Sequence, residues 1–109
     1  MKLIVWLGNS RDKVRMFSAE ARRDAGYQLD LVQNGKDPDD LKPLPVVGLG
    51  VREIRIHAEN EYRVLYVAQF SEAVYVIHAF TKKSQETPRG DLELAGRRYR
   101  ELIKQRKLK

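Results

Sequence analysis

Arg55, His57, Arg63 and the pair Lys82-Lys83 are the residues whose types and spacing suit chemistry on an acidic group. All lie in one stretch, VREIRIHAENEYRVLYVAQFSEAVYVIHAFTKK, from Val51 to Lys83. Arginine offers a planar fork of donors that matches phosphate, but it cannot serve as a base near neutral pH. Lysine can serve as one where burial and neighbouring cations depress its pKa. A cation inside a strand that otherwise wants burial needs a reason, because an unpaired buried charge is costly.

The stretch that carries these residues is three apolar runs separated by two polar breaks, Ala58-Glu59-Asn60-Glu61 and Ser71-Glu72. Each run has strand length and each break is short enough for a hairpin, so the pattern predicts an antiparallel meander. Alternation puts Ile54 and Ile56 on one face of the first strand and Glu53, Arg55 and His57 on the other. On the second, Arg63, Leu65 and Val67 alternate with Tyr62, Val64, Tyr66 and Ala68. On the third, Tyr75, Ile77 and Ala79 alternate with Val74, Val76, His78 and Phe80. The last two strands have no polar face, as in strands covered on both sides. Helices are expected on one face, and a half-apolar groove presenting Arg63 on the other. Glu53 and Glu61 are the carboxylates within reach of Arg55 and Arg63. His57 shares parity with Arg55 and lies near a turn. His78 sits among apolar neighbours and reads as a hydrogen-bonded core histidine.

The remaining elements follow from local signals. Lys2 to Leu7 reads as a first strand, broken by Gly8-Asn9-Ser10, with Ser10 capping a short helical turn through Met16. Ser18 caps a longer helix, in which Ala21, Ala25, Leu29 and Val32 recur on the face of Phe17 until Asn34-Gly35 stops it. Gly26 inside that helix is expected to pack closely against the sheet. Lys36 to Gly50, with Pro38, Pro43 and Pro45, reads as an irregular linker. Its aspartates, Asp37, Asp39 and Asp40, lack the glycine and terminal glutamate of a calcium-binding loop. Thr87-Pro88 reads as an N-cap with proline at the first helical position. The last helix then runs to about Arg106, with an apolar stripe of Leu92, Ala95, Tyr99, Leu102 and Ile103 and a basic surface of Arg97, Arg98, Arg100 and Lys104.

At 109 residues the chain is expected to be one domain, 1–109. The absence of cysteine excludes a disulfide framework, a cysteine nucleophile and thiolate metal sites. No stretch approaches the roughly 20 apolar residues of a membrane span, and the five-residue apolar run near the start is too short for a signal peptide. A cytoplasmic location is expected. The net charge of +6 is uneven: residues 89–109 hold eight Lys+Arg against three Asp+Glu, while residues 1–88 are nearly balanced. That asymmetry favours an acidic partner, either nucleic acid or an acidic protein segment.

The runs EYRVLY and VYVIHAFTKKSQETP, the basic helix beginning DLELAGRRY, and the earlier RRDAGYQLDLVQNGKDP resemble, in the same order, the phage-related, HigB-like branch of the RelE/ParE toxin superfamily. The resemblance covers almost the whole chain. It implies an α+β fold, with an antiparallel sheet of about four strands packed with two or three helices. It also implies the toxin of a toxin–antitoxin pair, cutting mRNA in the ribosomal A site without a cofactor and partnered by a helix-turn-helix, HigA-like antitoxin. In such cleavage the 2′-hydroxyl attacks phosphorus, and the protein supplies proton transfer and cations for the phosphate oxygens. Residue by residue, the resemblance places Arg63 at a phosphate contact, Arg55 near the basic position of the preceding strand, and Lys83, or Lys82, at the basic position after the last. The tyrosine that some members carry after that position has no counterpart between Gln85 and Pro88, which leaves His57, His78 or a lysine to move the proton. Two other readings stay open: a ParE-like inhibitor of gyrase, and a phage-derived nucleic-acid-binding accessory protein without catalysis.

Overall fold

The β-branched and aromatic runs do pair as a meander. In the computed structural model, which describes residues 1–83 and 88–108, β3 (Val51–His57), β4 (Glu61–Val67) and β5 (Ala73–Lys82) are consecutive antiparallel neighbours. The expectation of four antiparallel strands needs two corrections. β1 (Leu3–Trp6) pairs parallel to β5, so the sheet is mixed. A fifth strand, β2 (Leu41–Pro43), arises inside the stretch read as a linker and pairs antiparallel with β3. The order is β1-β5-β4-β3-β2. Pro43 cannot donate to a ladder, and an edge strand is where that is tolerated.

Both faces of the sheet are covered. On one, α1 (Ser10–Arg15), α2 (Ala19–Gln33) and the turn between them pack Val14, Phe17, Ala21, Ala25, Leu29 and Val32 onto Ile54, Ile56, Val64, Val74 and Val76. On the other, α3 (Arg89–Lys107) packs Ala95 and Leu102 onto Val51, Leu65, Val67, Tyr75 and Ile77. The face expected to be an open groove presenting Arg63 is therefore covered by α3 along β5, and Arg63 itself is buried. None of the helices among the described residues is long and apolar enough to cross a membrane.

A β-bulge changes the face of part of β5. Leu65 opposes His78 while Tyr66 opposes Val76, so Ile77 is the extra residue. Strict alternation put Ala79 with Tyr75 and Ile77, and His78 and Phe80 with Val76. Beyond the bulge Ala79 instead joins the α1–α2 side, while Phe80 joins the α3 side. Two carbonyls beside the bulge accept from side chains. The Ser10 hydroxyl donates to the Val76 carbonyl (3.1 Å), and Arg98 donates to that of Ile77 (3.0 Å) and to Asn9 Oδ1 (2.6 Å). Ser10 is thus the buried first residue of α1, with Asn9 in the cap position, and Arg98 is turned inward rather than part of the basic surface.

Ser18 caps α2 as expected, its Oγ accepting from the Ala21 amide, and Gly35 follows the helix at φ 78°. Pro88 occupies the cap position of α3 rather than its first turn. The expected cap at Thr87 lies outside the described residues. Gly26 makes no close contact: a Cβ there would meet nothing within 4 Å. Gly8 is the reverse case. Its φ is 52°, and a Cβ added to it would lie 2.5 Å from Arg98 Cζ.

These two glycines generate opposite expectations. Gly26→Ala should raise unfolding stability by about 1 kcal/mol, the helix-propensity difference. Gly8→Ala should lower it by roughly 1–2 kcal/mol, through its left-handed backbone and the displaced Arg98. Urea denaturation of the two variants beside wild type checks both.

Candidate functional site

The cross-strand register brings the basic residues together. Arg55 on β3 stands directly opposite Arg63 on β4, His57 opposite Glu61, and Glu61 opposite Lys82 on β5. Strand parity puts Arg55, Arg63 and Lys82 on the α3 side of the sheet, at the end where β5 finishes. Lys83 lies one residue beyond the strand and is exposed.

Two arginines in direct opposition would repel each other. Glu53 relieves this. Its Oε1 lies 3.6 Å from Arg55 Nε and 3.4 Å from Arg63 Nε, and its side chain is almost wholly buried. Arg63 is only 4% exposed. Its Nη1 donates to the Tyr62 carbonyl (2.9 Å) and to Glu61 Oε1 (3.2 Å). Neither Nε proton has a hydrogen-bond acceptor among the described residues. Glu53 thus faces both Nε groups by charge, Arg63 is held besides by its Nη1 hydrogen bonds, and the two Nε donors are left over.

The outer part of the site is a carboxylate–imidazole–carboxylate clamp. His57 Nε2 lies 2.6 Å from Asp40 Oδ2, and Nδ1 lies 2.7 Å from the Glu61 carboxylate. Hydrogen bonds to Asp40 and then Glu61 raise the His57 pKa above its ordinary 6.5. The bond to His57, followed by that to Arg63, holds Glu61 below its ordinary value. Asp40 comes from the segment before β2, so the edge strand delivers the second arm of the clamp. Its neighbours Asp37 and Asp39 pair with Arg52 (3.0 Å) and accept from Gln28 (2.9 Å).

His78 is the buried, hydrogen-bonded histidine expected. Its Nε2 lies 2.6 Å from Asp91 Oδ1 in the first turn of α3, and its ring stacks on Phe80, which opposes Arg63. Burial lowers its pKa despite Asp91, and Nδ1 has no partner among the described residues. Sequence reasoning assigned neither Asp40 nor Asp91 to this site. Both depend on tertiary contacts, over 17 and 13 residues of chain, that no local spacing signals. The tyrosine-lacking segment is largely outside the described residues.

The clamp has a defined pH window. Protonated His57 contributes stability that is complete below about pH 6.5 and fades as pH rises through its raised folded pKa. Ionised Glu61 contributes above its ordinary 4.5 and is lost as pH falls through its lowered folded pKa. The stability lead of wild type over His57→Gln should therefore be larger near about pH 5.5 than near about pH 9. Denaturant titrations of both proteins at the two pH values check this, and an NMR titration should find His57 above 6.5.

No curated protein matches the chain. Residues 12–100 match the family described as Phage derived protein Gp49-like (DUF891). The match runs from α1 to the middle of α3 and includes every strand that builds the site. A toxin of a toxin–antitoxin module is consistent with this match; the chain belongs to the phage-derived Gp49-like family, within the RelE/ParE-like toxin superfamily.

Proposed function

We propose that the protein is the toxin of a toxin–antitoxin pair and acts as a metal-independent mRNA endonuclease at the ribosomal A site, in the cytoplasm. The observation that carries this reading is the register that gathers Arg55, Arg63 and Lys82 on one face at one end of the sheet. In this reading the arginines bind the non-bridging phosphate oxygens and Lys82 adds charge at the rim. The 2′-hydroxyl passes its proton to a water molecule as its oxygen bonds to phosphorus, the bond to the 5′-oxygen breaks, and a 2′,3′-cyclic phosphate forms. His57, whose pKa the bonds to Asp40 and Glu61 raise, is suited to give its Nδ1 proton to the departing 5′-oxygen once Glu61 turns away. Glu61 occupies the Nη1 edge of Arg63 and must yield to the phosphate. Lys82 suits the rim position better than Lys83, because strand parity directs it to this face. The partner in this reading is a HigA-like helix-turn-helix antitoxin.

A second reading is a protein-directed inhibitor, such as a ParE-like poison of gyrase. The burial of Arg63 among Glu53, Glu61 and the Tyr62 carbonyl favours it, because a structural ion pair has the same form.

Arg63→Ala is a poor test alone. Removing one member of a buried ion pair costs about 3–5 kcal/mol, so we expect that variant to be strongly destabilised. Arg63→Lys keeps the charge and loses the fork, and Lys82→Ala alters only the strand end. Controlled expression in bacteria, with growth curves and mapping of mRNA 5′ ends, should show arrest and new in-frame cuts for wild type. Folded Arg63→Lys should cut about 100-fold more slowly, the loss usual for one transition-state donor, with Lys82→Ala also impaired and Lys83→Ala less so. Arrest with intact mRNA would instead support the inhibitor.

A further inference from the structure

A second concave surface lies on the outer side of α3, apart from the charged ladder. The segment between β2 and β3 packs Leu44 and Val47 into the α3-side core and leaves Val46 and Leu49 turned out, 75% and 79% exposed. Between this segment and α3 runs a groove of about 560 Å³, lined by Val46, Leu92, Glu93, Gly96, Arg97 and Arg100. That is several times the roughly 150 Å³ that admits a benzene-sized group. Its wall is fixed by Tyr99. The ring fills the space that a Cβ at Gly48 would need, and the phenol donates to the Leu49 carbonyl (2.9 Å).

Gly96 forms part of the lining. It is buried in the middle of α3, where glycine weakens a helix relative to alanine. The fold does not demand it. Its φ is not positive, and a Cβ there would meet only Arg100 Nη1, at 3.3 Å. What the missing side chain leaves is a flat stretch of helix that the flexible end of Arg100 overlies. The acid in the lining, Glu93, is already paired with Arg89 (2.9 Å), so the charge left at the mouth is positive. Among the described residues the groove is lined by no aromatic ring, Tyr99 being packed against Gly48 behind it, and Val46 and Leu92 give it apolar walls.

We infer that this groove docks an acidic, amphipathic segment of a partner protein, with an apolar side chain seated over Gly96 and carboxylates paired to Arg97 and Arg100. The helix-in-groove mode uses such apolar anchors, and the charge of the C-terminal helix selects the sign of the flanking residues. The inference does not depend on RNA cleavage, since none of the groove residues belongs to the Arg55–Arg63 ladder.

The test is a selection of phage-displayed peptides against the immobilised full chain, followed by fluorescence anisotropy with the enriched peptides in synthetic form. Enriched sequences should carry apolar residues flanked by Asp and Glu. Their affinity should fall at least about 10-fold for Gly96→Leu, which fills the groove with a good helix former, and for the Arg97→Glu/Arg100→Glu pair. Circular dichroism confirms that both variants fold, and charge reversal alone serves if the leucine variant does not. Failure to enrich any peptide, enrichment of basic or neutral ones, or binding indifferent to the variants would overturn the inference. Binding of a short RNA oligonucleotide that the charge reversal abolishes, with no peptide selected, would also overturn it and assign the surface to nucleic acid.

Discussion

Glu53 is the constraint on which the charged end of the sheet depends. The meander that buries Ile54 and Ile56 on one side unavoidably places Arg55 and Arg63 face to face on the other. Without a carboxylate between them, two like charges would face each other across the strands, one of them buried. Glu53 sits two residues along from Arg55, on the same face, and spans both at 3.4–3.6 Å. Such a cluster is not a large source of stability, since desolvation offsets much of the Coulomb gain. Its consequence is positional: two cations are fixed in one place with unspent donor capacity.

The layers around that cluster are held by contacts that cross the sheet. The bulge at Ile77 lets β5 serve β1 and α3 at once. Beside it the Val76 carbonyl accepts from Ser10 and the Ile77 carbonyl from Arg98. Two further contacts pin α3 near its ends, Asp91 to His78 at the start and Arg106 over the Phe70 ring at 3.7 Å near the finish. Arg106 also pairs with Glu72. The helix on this side of the sheet thus has side-chain anchors at both ends. Its outer surface, with Arg97 and Arg100 beside Gly96, remains for something else.

The two surfaces differ in how they handle charge. At the ladder each cation has a carboxylate nearby, and a phosphate would compete with Glu61 for Arg63. At the groove the acid is already paired and the arginines flank apolar walls. The first arrangement suits an anion that brings more charge than a carboxylate does. The second suits a ligand that combines carboxylates with a hydrophobic anchor.

Much of this was legible in the chain itself. The meander, the sides taken by Ile54, Arg55 and Arg63, the α2 face and its Ser18 cap, and the basic α3 all follow from periods of 2 and 3.6 and from local capping chemistry. The family resemblance lay in contiguous motifs, which a sequence displays directly. Tertiary structure alone decided the rest. β2 forms because the open edge of β3 accepts a partner, not because LKP prefers a strand. The parallel pairing of β1 depends on a crossover of more than sixty residues. A one-residue bulge moved His78, Ala79 and Phe80 to faces that alternation did not give them. Asp40 and Asp91 joined the site through contacts between separate elements. Periodicity is a property of neighbours in sequence, whereas registers, bulges and ion pairs are settled by which distant surfaces must be buried together.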